Sequence, residues 1–523
     1  MSPLRFCCLL LFIGVAATRF DLTNSARILG FFPSPSKSHL IIHAAVADAL
    51  AEAGHNVTVY GASKNVIPKA KYKYIELEPK TNESFVAGMA MGSSPSYKQF
   101  GKIVEMIASA SNDSLTHPRV QRLLREHGPG DFDLVIVGYF MNDATFALAA
   151  HFQCPLIVSF MIQPIMALNS LIGNPTEIAY TPTMLGKQRQ PMNFVSRVKN
   201  FISVGMELLM AELGIHFQTK IYDYNFPSDR YPPLDEVRKN VSLIFTNHHF
   251  SQGPIRPNVP NLIEIGGIQI KEKPDPLPTD IAKVLDESKE GVIYFSLGSN
   301  IKGSHLNEEK IKIMFNVISK LPYKVLWKWS PTELPGESKN IIFRDWLPQD
   351  DVLAHPNVKL FITHGGMGSV VESQYHGVPM VGIPLFGDQP SNMVNVERSG
   401  YGLAVDYLTL TEESLNNAIQ DVLNNPKYKE AVQTFSRLYR DRPMTPRETV
   451  VYWVDYVLRH KGAKHMQSPA VHMNRWQLLS LDVIGFLLAI VLTISVVIVK
   501  VCKLICCRGR KNKLPKVEKA KQN

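Results

Sequence analysis

The sequence predicts an α/β fold built as two doubly wound parallel-sheet halves that face a shared cleft, followed by one membrane-spanning helix. Three observations predict it. Short apolar runs of the kind buried in parallel sheets recur in both halves, at residues 134–137, 156–160 and 243–246 and again at 291–297, 324–327, 340–343, 359–363 and 378–383. Helix-compatible segments separate them. Between the halves, residues 271–279 (KEKPDPLPT) are Pro-rich and charged, a linker by composition. Near the end, residues 483–499 are 17 uncharged and strongly apolar positions, the lower limit for crossing a bilayer.

Taken in order, the chain opens with Arg5, an apolar run at 6–15 and the small pair Ala16-Ala17, the pattern of a secretory leader over residues 1–17. A strand at 26–32, a loop at 34–38, a helix at 39–53, Gly54 and a strand at 56–60 make a βαβ start to an amino-terminal domain of residues 18–270. The linker occupies 271–282, and a second α/β domain runs over 283–450. A return helix and juxtamembrane segment fill 451–482, the span is 483–499, and a basic tail closes the chain at 500–523. No internal repeat is apparent.

With 523 residues and 45% hydrophobic content, each half can bury a substantial core. The tail carries nine Lys or Arg against one Glu, +8 of the formal +10, so the body is close to neutral and its charge gives no reason to expect nucleic acid. The positive-inside rule puts that tail in the cytosol and the body in the lumen, a single-pass type I arrangement. Residues 519–523 resemble a lysine-based retrieval signal for the endoplasmic reticulum, with an ordinary stop-transfer charge cluster as the other reading. Of six cysteines, Cys7 and Cys8 leave with the leader and Cys502, Cys506 and Cys507 lie at the membrane edge, open to palmitoylation. Cys154 alone remains in the body, so no disulfide forms within it. Asn56, Asn82, Asn112 and Asn240 head glycosylation sequons, whereas Asn174 is followed by Pro.

Residues 361–389, FITHGGMGSVVESQYHGVPMVGIPLFGDQ, carry the chemistry. An apolar strand ends at His364, Gly365-Gly366 turn the chain, and a helix opens near Gly368 and closes at Gly377. Unpaired N–H groups at such a helix start attract an anion, and glycine lets the backbone approach it, so a diphosphate fits. Ser369 adds a hydroxyl; Glu372, on the same helix face, is placed to accept from a ribose; Asp388 and Gln389 are placed to hold sugar hydroxyls.

This stretch resembles the signature of the UDP-glycosyltransferases, in particular the membrane-bound animal enzymes of insect type. The resemblance rests on Thr363, His364, Gly366, Ser369, Glu372, Gly377-Val378-Pro379, Pro384 and Asp388-Gln389. Upstream, Asp345-Trp346-Leu347-Pro348-Gln349 resembles the uracil platform, with Trp346 stacked on the base and Gln349 reaching base or ribose. The resemblance implies a GT-B architecture of two Rossmann-like domains, with a UDP-sugar donor bound as co-substrate by the carboxyl half and a small lipophilic acceptor by the amino half. It implies His39, in the Ser38-His39 step after the first strand, as the catalytic base. Asp143, in the Asn-Asp pair of insect-type members, would orient that imidazole; as an alternative it caps the following helix. Vertebrate members put their Asp in the column of Gly138.

His43, one turn beyond His39, lacks a third ligand for a metal, and Asp131-Phe132-Asp133 precedes a strand instead of following one, so it reads as a solvated turn. Leaving-group charge then falls to helix-end amides at Gly366 and Gly368, to His364 and Ser369, and to the loop Ser296-Leu297-Gly298-Ser299. Transfer without a metal or resident cofactor, inverting at the anomeric carbon, is the expectation. Members that use UDP-glucuronate carry an Arg where this chain has Phe245, so UDP-glucose is favoured and UDP-glucuronate is the alternative donor. Met161, Met166, Met184, Met192, Met206 and Met210 would suit an adaptable lipophilic pocket, and core packing or membrane contact would explain them equally. A non-catalytic sugar-nucleotide or lipid-binding membrane protein is the rival class, and a homo-oligomer stays open.

Overall fold

The computed structural model describes residues 25–67, 70–78, 97–183, 188, 190–299, 301, 303–330 and 334–511. The expected leader, Asn82, Met184 and the retrieval-type end at 519–523 lie outside the described residues.

The amino-terminal domain is a seven-stranded sheet in the order β3-β2-β1-β4-β5-β6-β7. Its strands are β1 (Arg27–Phe32), β2 (Asn56–Gly61), β3 (Lys73–Glu76), β4 (Leu134–Gly138), β5 (Leu156–Phe160), β6 (Val241–Thr246) and β7 (Leu262–Glu264). Every pairing is parallel: Leu29 sits opposite Thr58 on one side and Val135 on the other. The six strands of the second sheet run β10-β9-β8-β11-β12-β13, with β8 (Val292–Ser296), β9 (Lys324–Lys328), β10 (Ile341–Arg344), β11 (Val358–Thr363), β12 (Met380–Gly382) and β13 (Gly402–Ala404). It is parallel throughout as well, with Ile362 opposite Phe295 and Val381.

Both sheets reverse direction of winding beside their first strand, between β1 and β4 and between β8 and β11. Such switch points open a crevice at the carboxyl ends of the strands, where doubly wound folds bind ligands. The apolar runs anticipated from the sequence are the central strands, since burial on both faces leaves only apolar residues there: β4 and β5 are buried at every position. The edge strands β3, β7 and β13 were not anticipated. They are three or four residues long, too short for a periodic signal. β13 instead depends on close approach, because a Cβ at Gly402 would lie 1.8 Å from the Met380 carbonyl oxygen.

The return helix starts earlier than the expected residue 451. It runs Pro446–Arg459, opened by a capping box between Thr445 and Glu448 with Pro446 in its first turn. It belongs to the first domain: Val450, Val454 and Val457 are fully buried in the core cluster around β1 and β4. Arg447 clamps it to helix Lys37–Glu52 through Asp48 (2.8 Å) and Glu52 (2.7 Å), and His55 pairs with Asp455 at 3.3 Å. The second domain fills both faces of its own sheet, one cluster around Trp327 and Leu360 and another around Tyr294 and Phe361.

Residues 468–523 form a separate unit. Its helix Leu481–Lys511 contains a stretch, Leu481–Ile505, of 25 residues and mean hydropathy 2.8. At 1.5 Å per residue that is about 37 Å, enough to cross a hydrocarbon core of about 30 Å. The apolar helix is thus longer than the 17 residues read from composition, because Leu481, Val501, Leu504 and Ile505 tolerate the isolated charges between them.

Candidate active site

Helix Lys37–Glu52 follows β1 after a short loop and carries His39 in its first turn. The ring is half-buried and stands 5.1 Å, centroid to centroid, from Phe140 in the loop after β4, so it lies at the first switch point. Its Nδ1 shares a 2.7 Å hydrogen bond with Ser34 Oγ. When Nδ1 donates that bond, Nε2 keeps its lone pair and can take a proton. Burial lowers the imidazole to about 4, so it is neutral near pH 7.

Asp143 does not join it. The carboxylate is 2% exposed, accepts from Arg238 Nε at 2.8 Å and from the Tyr139 hydroxyl at 3.1 Å, and makes no hydrogen bond to His39. The expectation of an Asp143–His39 pair is corrected on this geometry. The tight turn after β4 explains it: Met141 adopts φ 57°, the Asn142 side chain ties back to Gly138 O (3.1 Å) and Phe140 N (2.6 Å), and the next residue is turned into the domain. Asp143 does not cap a helix with its side chain either, since the short 3-10 turn Asp143–Phe146 takes Asn142 as its cap. Gly138 has no room to supply a carboxylate in its place, because a Cβ there would lie 2.8 Å from His43 Cδ2.

His43 is a core residue. It is 1% exposed, bonded through Nδ1 to Ser159 Oγ at 2.8 Å, and depressed to about 3 by burial. No group of three metal-type side chains gathers around it or elsewhere among the described residues. Its folded pKa lies below the ordinary 6.5, so the unfolded chain binds the extra proton and acid favours unfolding. The His43 contribution is accordingly full above about pH 6.5 and declines as pH falls towards 3; the loss of melting temperature on acidification should be smaller in His43→Gln than in the parent, and an equal loss would contradict this.

In the second domain the switch point gathers the donor signature. His364 follows β11, its ring lowered to about 4 by burial and by nearby Lys328, and its Nδ1 is buried without a partner. Glycines frame that ring: a Cβ at Gly298 or Gly366 would come within 2.6 Å or 2.5 Å of its Nε2. Gly298 also needs φ +87°, which side-chain-bearing residues rarely adopt. Gly366 caps helix Met367–His376, whose first N–H groups, at Met367, Gly368 and Ser369, have no acceptor within the helix. The amides of Gly368 and Ser369, deeper in that first turn, are placed to meet a ligand. A Cβ on Gly368 would meet nothing within 4 Å, so this end faces open space. Gly366→Val should push the His364 ring aside and weaken UDP binding by about tenfold or more, as titration calorimetry would measure; unchanged affinity would count against the ring and amides as the binding surface.

The remaining expected residues stand around that helix start. Gln349 Nε2 donates to Ser369 Oγ (3.0 Å) and Glu372 Oε2 (2.7 Å), while Gln269, arriving from the first domain, donates to Glu372 Oε1 at 3.5 Å. Burial and the neighbouring Asp350 raise the Glu372 carboxyl. Trp346 is 53% exposed, available for stacking, with the Lys328 ammonium 4.9 Å from its ring centroid. Ser296 is buried and accepts from Gly298 N–H at 3.3 Å, and Ser299 follows it half-buried. Asp388 accepts from Asn392 at 2.7 Å and is raised by burial. Gln389 spends its carbonyl oxygen on the amides of Leu385 (2.8 Å) and Phe386 (3.1 Å), leaving only its NH₂ end for a sugar.

Lys328 was not anticipated. It ends β9, donates to Gly298 O at 2.7 Å, and is lowered to about 8 by burial and by Lys37. Lys37 opens the His39 helix, so residues of both switch points bear on the same ammonium. Of the glycosylation sequons, Asn56 and Asn240 are exposed and Asn112 is half-buried in helix Tyr97–Leu115.

Comparison with known proteins agrees with this geometry. The family model described as "UDP-glucoronosyl and UDP-glucosyl transferase" matches residues 34–514. The chain is 36% identical to "UDP-glycosyltransferase UGT5" of Dactylopius coccus, over 98% of this chain and all of that one. It is 34% identical to "UDP-glucuronosyltransferase 1A6" of Mus musculus, over 92% and 93% of the two chains. Among solved structures, the glycosyltransferase SnogD from Streptomyces nogalater superposes with a TM-score of 0.54 at 19% identity, covering 83% of this chain and all of that one, a likeness of fold. With the GT-B fold, the donor signature gathered at one switch point and relatives that span almost the whole chain, this protein belongs to the UDP-glucuronosyl and UDP-glucosyl transferase family and is a UDP-glycosyltransferase.

Proposed function

We propose that the chain transfers glucose from UDP-glucose to the hydroxyl group of small lipophilic acceptors, inverting the anomeric carbon and using no metal. The observations that support this reading are a neutral, half-buried His39 at one switch point and, at the other, a helix start whose Gly368 and Ser369 amides lack a helical acceptor. His39 Nε2 takes the acceptor's hydroxyl proton as that oxygen attacks the anomeric carbon, and the bond from carbon to the diphosphate oxygen breaks. Negative charge builds on UDP as it leaves. Amides of Gly368 and Ser369, with the Lys328 ammonium, face that charge, a preorganised electrostatic arrangement. Ser34 holds the imidazole in the place that a carboxylate takes in other relays.

Donor choice rests on Phe245. It is fully buried in β6, so no guanidinium stands in that column to pair with a glucuronate carboxylate. UDP-glucuronate is the second reading, favoured by the half-buried Lys328 beside the donor signature. A charge-assisted bond contributes about 1.5–3 kcal/mol, so kcat/KM should favour UDP-glucose by about tenfold or more. Initial rates with both donors on a phenol panel test this, and equal or reversed rates would reassign the donor. EDTA should leave the rate unchanged. We further propose a lumenal body in the endoplasmic reticulum with the basic tail cytosolic, which protease protection of sealed microsomes would test.

A further inference from the structure

Helix Phe194–Asn225 is 32 residues long and buries one face, including Val204, Ala211 and Gln218. At about 100° per residue, its opposite face carries Ile202, Leu209, Leu213 and Phe217, exposed by 58, 62, 47 and 40%, with Phe194 and Phe201, exposed by 71 and 67%, on the flank of that face. An outward helix face in a soluble protein is ordinarily polar. This one is apolar for most of the helix, and a contiguous exposed apolar patch marks a contact surface.

We propose that this outer face lies in the interfacial layer of the bilayer to which the chain is tethered, as a second membrane contact besides the apolar helix Leu481–Ile505. Three observations select lipid as the occupant. A chain with a helix long enough to span a bilayer keeps its body at a membrane surface. Exposed cations stand near both ends of the stripe, Arg197 and Lys199 between Phe194 and Phe201 and Lys220 beyond Phe217, where long basic side chains reach phosphates while the apolar residues enter the acyl boundary. Between Lys199 and Lys220 the exposed carboxylate is Glu212, at the margin of the stripe, as in helices that lie in the interface plane.

The inner face of the same helix touches the catalytic side: Gln218 Oε1 accepts from Ala144 N–H at 3.2 Å, and Gly214 packs on Met141, both in the loop after β4. One helix thus stands between the lipid and the loop beside His39, on the route a bilayer-dissolved acceptor would take. This inference does not depend on the identity of donor or base.

The test places a photoreactive p-benzoylphenylalanine at Phe201 or Leu209 of the full-length chain in native microsomes, with Lys312, an exposed position on the second domain, as control. Irradiation should yield phospholipid-modified peptides from positions 201 and 209 at about ten times the control level or more. A cross-linked dimer from those positions without lipid adducts would overturn the proposal in favour of contact between two copies. Adducts no more abundant than at Lys312 would overturn it outright.

Discussion

His39→Ala should lower kcat by about 10²–10⁴-fold, the usual contribution of a positioned general base, while UDP affinity stays within about twofold. The asymmetry follows from the fold, since His39 belongs to the amino-terminal switch point and the nucleotide contacts to the other. Single-turnover rates together with UDP titration separate the two effects. Loss of both would point to a collapsed cleft, and retention of both would remove His39 as the base. The same assignment fixes a pH effect. Because burial holds the His39 pKa near 4, below its ordinary 6.5, the base stays unprotonated through mildly acidic pH, and the acid limb of kcat/KM should lie below pH 6.5. An acid limb above that value would mean that another group limits the reaction.

Asp143→Ala should damage the protein as severely by another route. The carboxylate is the buried partner of Arg238, which is itself largely shielded, with side-chain exposures of 2% and 15%. Removing Asp143 leaves the shielded Arg238 with only the exposed Asp235, 3.8 Å away, and should cost up to about 3–5 kcal/mol. A lower melting temperature and poor recovery of folded protein are expected. The double variant Asp143→Ala/Arg238→Leu should regain part of that loss, because the stranded cation is gone. If Asp143 instead served the base, Asp143→Asn would fold normally and shift the acid limb that His39 sets, a pattern this geometry argues against.

What the sequence disclosed follows from where its signal is strong. Central strands of both sheets were legible, since parallel strands covered on two faces must be apolar almost throughout, as the runs LVIVG in β4 and LIVSF in β5 are. The strand, glycine turn and helix at 358–376 were legible for a related reason: backbone conformation there demands glycine, and glycine is visible in a sequence. Side-chain direction was not legible. Asp143 stands shortly beyond the end of β4, close enough to the cleft by count, yet the Met141 turn and the Asn142 ties send it inward to an Arg that lies 95 residues away. Lys328 was invisible for a similar reason, because a lysine at a strand end is common and only the packing of Gly298, Trp346 and Lys37 around it gives it a place in the site. Ser34 lay in the loop expected at 34–38, which ends two residues early because the helix already starts at Lys37, and its bond to His39 depends on a turn the sequence does not specify. Of the methionines expected to line a pocket, pack in the core or meet a membrane, Met206 is exposed on helix Phe194–Asn225 and Met161 is buried, a direction that composition alone does not give.

The central claim is that a UDP-sugar sits between the two switch points, its diphosphate on the amides of one and its anomeric carbon towards the imidazole of the other. A structure of the full-length chain with UDP bound tests it most directly. The account predicts diphosphate oxygens within hydrogen-bond distance of the Gly368 and Ser369 amides, uracil stacked on Trp346, and His39 across the gap. UDP bound elsewhere, or His39 and His364 opening to opposite surfaces, would contradict it.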